Sequence, residues 1–229
     1  MALITANDID VIEMASDIPL VGVWGLELIA DTEEILNGRV TVSIADGALT
    51  YVGTAFPARS GSYILTDHTR VIAGNGGLAT VAVPRFYANV TLSIVLQDLL
   101  DTAGEVLSST ADQSVLDTEL PFWMVIAQPV ASALQVLLAT VQTQQAQSLS
   151  WRMLADGTFW TGYESWTPTT VDYDLLDNNP REARLEIVSN TPTVEPGQTL
   201  TLDDGSVHQV QYVEHRITGD RIRQTLWTT

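Results

Sequence analysis

Through the first part of the chain, apolar and polar residues alternate with the period of half-buried strands. Val21 to Ala30 puts Trp24, Leu26 and Leu28 on one face. Asn37-Gly38 and Asp46-Gly47 are hairpin-type turns. Between them Val40, Val42 and Ile44 alternate with polar residues. Leu49 to Phe56 reads as a third strand, stopped by Pro57, and Tyr63 to Ala73 as a fourth. Gly74-Asn75-Gly76-Gly77 reads as a flexible turn.

The period then changes. Leu92, Val95, Leu96, Leu99, Leu100 and Ala103 fall on one helical stripe, and Gly104 supplies a left-handed stop. A second helix starts at Pro129, with Val130, Leu134, Leu137, Leu138 and Val141 on one face and a polar, Gln-rich exit over 142–147. Neither helix carries Lys or Arg on its polar face, so both are expected to pack on a sheet rather than a membrane.

Strands resume at Trp151. Trp151 to Leu154 and Thr158 to Tyr163 flank Asp156-Gly157 as a hairpin, and a two-residue loop would place Trp151, Met153 and Trp160 on one face. Thr167 to Pro180 reads as a loop rich in Pro, Asp and Asn. Ala183 to Ser189, Gln198 to Leu202, Ser206 to Ile217 and Arg221 to Thr228 read as strands, with turns at Pro196-Gly197 and Thr218-Gly219-Asp220. The expected fold is mainly β with a helical insert, as two tube-like antiparallel β-barrel or sandwich modules. The expected boundaries are 1–90 for an N-terminal β module, 91–148 for the helical segment and 149–229 for a C-terminal β module.

Charge narrows the partners. The 229 residues hold 28 Asp and Glu against 10 Arg, with no Lys and no Cys, for a formal charge of −18. Only 17% of residues are charged and 45% are hydrophobic, so the excess covers a folded body rather than forming a tail. Such a surface repels nucleic acid and anionic membranes. Without Cys there are no disulfides or thiolate metal sites. No apolar run reaches the ~20 residues of a membrane helix, and the first ten residues lack a basic start. A soluble product folded in a cytoplasm is expected.

Candidate chemistry is sparse. His208 and His215 lie seven apart, so on one regular strand they point to opposite faces, and a shared metal site would need a bulge between them. Asp172, Asp174 and Asp177 are loop carboxylates without the Gly turn and terminal Glu of a calcium loop, and Asp203-Asp204-Gly205 reads as a hairpin turn. Ser60-Gly61-Ser62 does not fit a nucleophile elbow, and Gly74 to Gly77 lacks the Lys and Ser or Thr of a phosphate loop. Trp151, Trp160 and Trp166 could form a sugar-stacking platform, but tryptophans on a hairpin are more often core or interface anchors. The ten Arg form no basic stripe. No catalytic, cofactor-binding or metal residue is assigned, and no cofactor is expected.

Four stretches together carry a resemblance. They are Arg70-Val71-Ile72-Ala73-Gly74-Asn75-Gly76-Gly77-Leu78; the helix Val95 to Gly104 followed by Glu105-Val106-Leu107-Ser108; Trp151-Arg152-Met153-Leu154-Ala155-Asp156-Gly157-Thr158-Phe159-Trp160-Thr161-Gly162; and Val213-Glu214-His215 through Gly219-Asp220-Arg221-Ile222-Arg223 to Leu226-Trp227. In that order they resemble the baseplate hub proteins of tailed bacteriophages. The resemblance implies a structural virion protein with two tube-like β-modules per chain. Three chains then form a homotrimeric, pseudo-sixfold ring between the tail tube or distal tail protein and the spike or tip protein. DNA and the tape-measure protein pass through such a ring, and an acidic wall would keep DNA from adhering. Larger hubs carry further domains, and 229 residues leave no room for a hydrolase.

Three other readings compete. In a carbohydrate-binding or adhesin-like tail module, Trp151 and Trp160 would be exposed on one face. An acid-using hydrolase needs two carboxylates converging in a cleft. A hexameric distal-tail or tail-tube protein would share the β-modules but assemble with sixfold symmetry.

Overall fold

The computed structural model describes residues 3–45, 47–146, 148–170, 172–189, 194–218 and 221–229. The chain folds as two compact units, one made of Met1–Ala73 with Ser165–Thr229, the other of Gly74–Glu164. The first stretch supplies strands β1 (Ile4–Ala6), β2 (Ile9–Pro19), β3 (Gly25–Ala30), β4 (Gly38–Ile44), β5 (Leu49–Ser60) and β6 (Tyr63–Ala73). The inserted unit holds β7 (Arg85–Thr91), α1 (Leu92–Ala103), α2 (Gln113–Leu116), β8 (Glu119–Val125), α3 (Val130–Gln145), β9 (Ser150–Met153) and β10 (Phe159–Gly162). The last stretch adds β11 (Thr167–Pro168), β12 (Asp174–Asn179), β13 (Arg184–Ser189), β14 (Gln198–Thr201), β15 (Val207–Thr218) and β16 (Arg221–Thr228).

In the first unit, strands run in the order β1-β4-β5-β6-β3-β2, and β1 also pairs with β2. This closes a six-stranded antiparallel barrel. β2 then pairs with β15, and the sheet continues through β16 and β13 to β12. The protein is therefore mainly β with a helical insert. The boundaries differ from the expected 1–90, 91–148 and 149–229. The β segments from the two ends share one sheet through the β2–β15 ladder, and the inserted unit contains four strands as well as helices.

Alternation places the barrel core as the sequence suggests. Trp24, Leu26, Leu28, Val40, Val42, Ile44 and Tyr51 are all buried. Trp24 meets Tyr51 edge-on at 5.0 Å. Gly53 makes room for this pair, because a Cβ there would lie 2.3 Å from the Ile72 carbonyl oxygen and 2.9 Å from the Trp24 ring. α1 and α3 bury the stripes read from the sequence, and Gly104 ends α1 with φ of 70°.

Several expectations are corrected. Pro57 does not stop its strand, because β5 runs on to Ser60. β4 ends opposite Ala55, so the edge beyond it needs no N–H from Pro57, and the register shifts between Pro57 and Arg59. The 167–180 loop contains β11 and the edge strand β12. β2 gives weak alternation because its register with β3 shifts between Val11 and Glu13. β7 and β8 carry apolar residues on both faces, which hides the period of two. The turns at Asp46 and at Gly219-Asp220 lie outside the described residues.

Candidate interaction surfaces

The groups with chemical promise are mostly engaged by the fold. The Gly74–Gly77 turn is not a loose loop. Its backbone wraps a carboxylate, and Glu105, only 3% exposed, accepts the Asn75 N–H at 3.0–3.1 Å and the Gly77 N–H at 2.9 Å. Such a nest of N–H groups is an anion site, and here the protein's own carboxylate fills it. A Cβ on Gly74 would sit 2.3 Å from that carboxylate, and one on Gly77 1.6 Å from the Ala103 carbonyl oxygen. The glycines are thus required by close approach. Glu105 is named in the sequence reading only within the stretch after α1 and is given no role there, although its place just after the Gly104 helix stop was the available signal.

The histidines do not converge. His208 bonds Ser206 Oγ at 3.1 Å and approaches Thr228 Oγ1 at 3.4 Å. His215 is fully buried on β15 between β2 and β16. Ser16 Oγ accepts the His215 backbone N–H at 3.0 Å and lies 3.0 Å from the ring Nδ1, a contact whose direction follows the imidazole tautomer. The other ring nitrogen, Nε2, is buried with no partner. Burial pulls the imidazole pKa down to about 4. Gln224 lies directly opposite on β16, and its Oε1 is also buried without a partner. Among the described residues no cluster of three His, Asp or Glu could hold a metal.

The tryptophans do not build one platform. Leu154 and Thr158 close a three-residue loop in which Gly157 takes φ of 81°. The extra residue sets Phe159 opposite Met153 and Trp160 opposite Arg152. Trp151, Met153 and Phe159 are therefore buried together, with Trp151 stacked on Phe159 at 5.5 Å. Trp160 faces the other way. The Arg152 guanidinium lies 4.4 Å from its ring centre, and its Nε1 donates to the Thr110 carbonyl at 3.0 Å. Arg152 also pairs with Glu164. Trp166 belongs to the other unit. The expected shared face of Trp151 and Trp160 is thus overturned by the loop length, and the sugar-platform reading loses its geometry.

What remains are surfaces suited to protein contact. On the β7–β8 ribbon, Tyr87, Leu120 and Val125 are buried. Phe86 faces Met124 and Ala88 faces Phe122 on the outer side, with Phe86, Phe122 and Met124 63–72% exposed. Aromatic residues and Met with few charges mark interface cores. From Leu120 to Trp151 the sequence has no Asp, Glu, Lys or Arg, unusual for a chain of charge −18. In the other unit, a cavity of about 280 Å³ is lined by Asp172, Tyr173, Leu175, Thr201, Leu202 and Asp203. Asp174 and Asp177 lie on the exposed edge strand β12, with Asp177 bound to Arg184 at 3.3 Å. Ser60, Gly61 and Ser62 form the tip of the β5–β6 hairpin. Among the described residues no helix is long and apolar enough to cross a membrane.

No protein-family model and no curated protein sequence matches the chain. Solved structures do. A 43 kDa tail protein of prophage MuSo2 from Shewanella oneidensis matches with a TM-score of 0.68 and 12% identity, over 99% of this chain and 96% of that one. The E. coli c3393 protein is a component of the type VI secretion system with structural similarity to the T4 tail proteins gp27 and gp5. It matches with a TM-score of 0.67 and 12% identity, over 98% of this chain and 76% of that one. A tail protein from Neisseria meningitidis MC58 matches with a TM-score of 0.62 and 11% identity, over 98% and 95%. The chain thus has the fold of phage tail proteins, from one end to the other.

Proposed function

We propose that this chain is a structural protein of a phage tail, a baseplate hub that closes a ring between the tail tube and the tail tip. The observation that carries the reading is the end-to-end fold match to phage tail proteins. Its residues support the same view. Glu105, His215 and the Trp151–Trp160 hairpin serve the fold, which leaves exposed apolar faces rather than a reactive centre. In this reading the chain is not an enzyme and takes no cofactor.

The proposed assembly is a homotrimer of pseudo-sixfold symmetry. One face meets the tail-tube or distal-tail protein, the other a spike or tip protein, and the centre passes DNA and the tape-measure protein. The charge of −18 per chain suits that passage, since an acidic wall does not hold a polyanion. Native mass spectrometry across protein concentrations tests the stoichiometry. Three chains are expected. A purely monomeric protein contradicts the ring, and six chains favour a distal-tail or tail-tube protein.

A further inference from the structure

We propose that the β5–β6 hairpin of one copy docks in the cavity between Asp172 and Asp203 of a second copy. This rests on the homo-oligomeric reading above and adds to it a donor, an acceptor and a direction.

The donor is an arm that runs past the strands beside it. β4 pairs with β5 only as far as Ala55, and β3 pairs with β6 only as far as His68. Among the described residues, 58–67 therefore pair only across their own turn, Arg59 with Ile64 and Ser60 with Tyr63. Tyr63 is 78% exposed and Ile64 44%. A two-stranded ribbon is marginal alone in water, so an arm with apolar residues at its tip calls for a surface to rest on. Arg59 adds a positive charge that has no ion pair among the described residues.

The acceptor has the complementary chemistry. Asp172 and Asp203 line the cavity, and neither forms an ion pair among the described residues. Leu175 and Leu202 give it apolar walls. The Tyr173 hydroxyl donates to the Thr201 carbonyl at 2.9 Å and fixes one side. Beside it, β12 is the last strand of its sheet and shows Leu175 and Leu176 to solvent. About 280 Å³ is below the usual range of small-molecule sites, ~300–1,000 Å³, and suits one or two large side chains. Arg59 would meet the carboxylates while Tyr63 or Ile64 covers the leucines.

The occupant is a second copy because both halves of the contact are on this chain. Like copies of charge −18 repel, so an interface between them is favoured by a place where opposite charges meet. A hairpin of the barrel entering a cavity at the other end of the strand order is a head-to-tail contact, the kind that closes rings.

The test is a charge swap in the full-length protein, read by native mass spectrometry and sedimentation. Asp204, not Asp203, holds the turn by accepting the Ser206 N–H and hydroxyl, so Asp203 is free to be changed. Arg59→Asp and Asp203→Arg should each weaken assembly by about tenfold or more. Together they should restore it. The lack of Cys provides a second readout. A mixture of Tyr63→Cys and Leu175→Cys proteins should form a disulfide-linked heterodimer on mild oxidation, and neither variant alone should. Wild-type oligomers that are indifferent to Arg59→Asp and give no cross-link overturn the docking and leave the ring reading standing. A wild-type chain that stays monomeric overturns both.

Discussion

Acidification should cost this protein stability through one buried side chain. His215 is packed between β2 and β16, with Ser16 Oγ on Nδ1 and no partner on Nε2. Its folded pKa is about 4 against an ordinary 6.5. Between those values the unfolded chain takes up the proton and the folded chain refuses it. Stability from this group is therefore complete above pH ~6.5 and falls as pH drops toward 4. With those two values the loss from pH 7.5 to pH 5.0 is about 2 kcal/mol. Urea denaturation of wild type and His215→Leu at both pH values isolates it, since surface carboxylates titrate alike in the two proteins. The variant is expected to be less stable at pH 7.5, because Ser16 loses its hydrogen bond to the ring. The gap should narrow by about 2 kcal/mol at pH 5.0. A gap that stays constant or widens would refute the argument, because it would mean that His215 protonates equally in both states.

Gly77→Ala should destabilise the protein by about 3 kcal/mol or more, since the new Cβ would meet the Ala103 carbonyl oxygen at 1.6 Å; a change under 1 kcal/mol in a thermal melt would be inconsistent with that contact. Glu105→Gln should cost about 1.5–3 kcal/mol, because one acceptor oxygen facing the Asn75 and Gly77 N–H groups becomes a donor. Hydrogen exchange at those two amides would report the loss directly, and unchanged protection would count against the nest. Assembly should strengthen from low to moderate salt, because copies of charge −18 repel and salt screens them. Weaker assembly at higher salt would show that attractive ion pairs dominate the interface.

The sequence was readable where one face is buried and the other is wet. β4 and β6, and the stripes of α1 and α3, follow that rule and sit where the periodicity puts them. It was opaque where the rule breaks. β12 buries no side chain and is held by backbone pairing to β13, so its Asp- and Asn-rich sequence looks like a loop. In β7 and β8 both faces are apolar, and no alternation survives. The three-residue turn at Asp156-Gly157 differs by one residue from the commonest hairpin, enough to send Trp160 to the opposite face. The split of the chain was hidden for another reason. The β2–β15 ladder joins residues some two hundred positions apart, and no local pattern records such a pairing.

The placement of charge bears on what the molecule was shaped to do. A uniformly acidic surface would serve solubility alone. Here the acidic residues stop at particular places. No charge occurs from Leu120 to Trp151, and the outer face of the β7–β8 ribbon shows Phe86, Phe122 and Met124 instead. Two such neutral faces can meet without like charges being pressed together or ions desolvated, which is the costly step for a polyanion that assembles. Several groups that could do chemistry are engaged by the fold: Glu105 in a backbone nest, Ser16 and His215 in a strand seam, Arg152 with Trp160 and Glu164. Together with the neutral ribbon face, that arrangement supports the proposed role in a tail assembly, where protein faces must meet despite a net charge of −18.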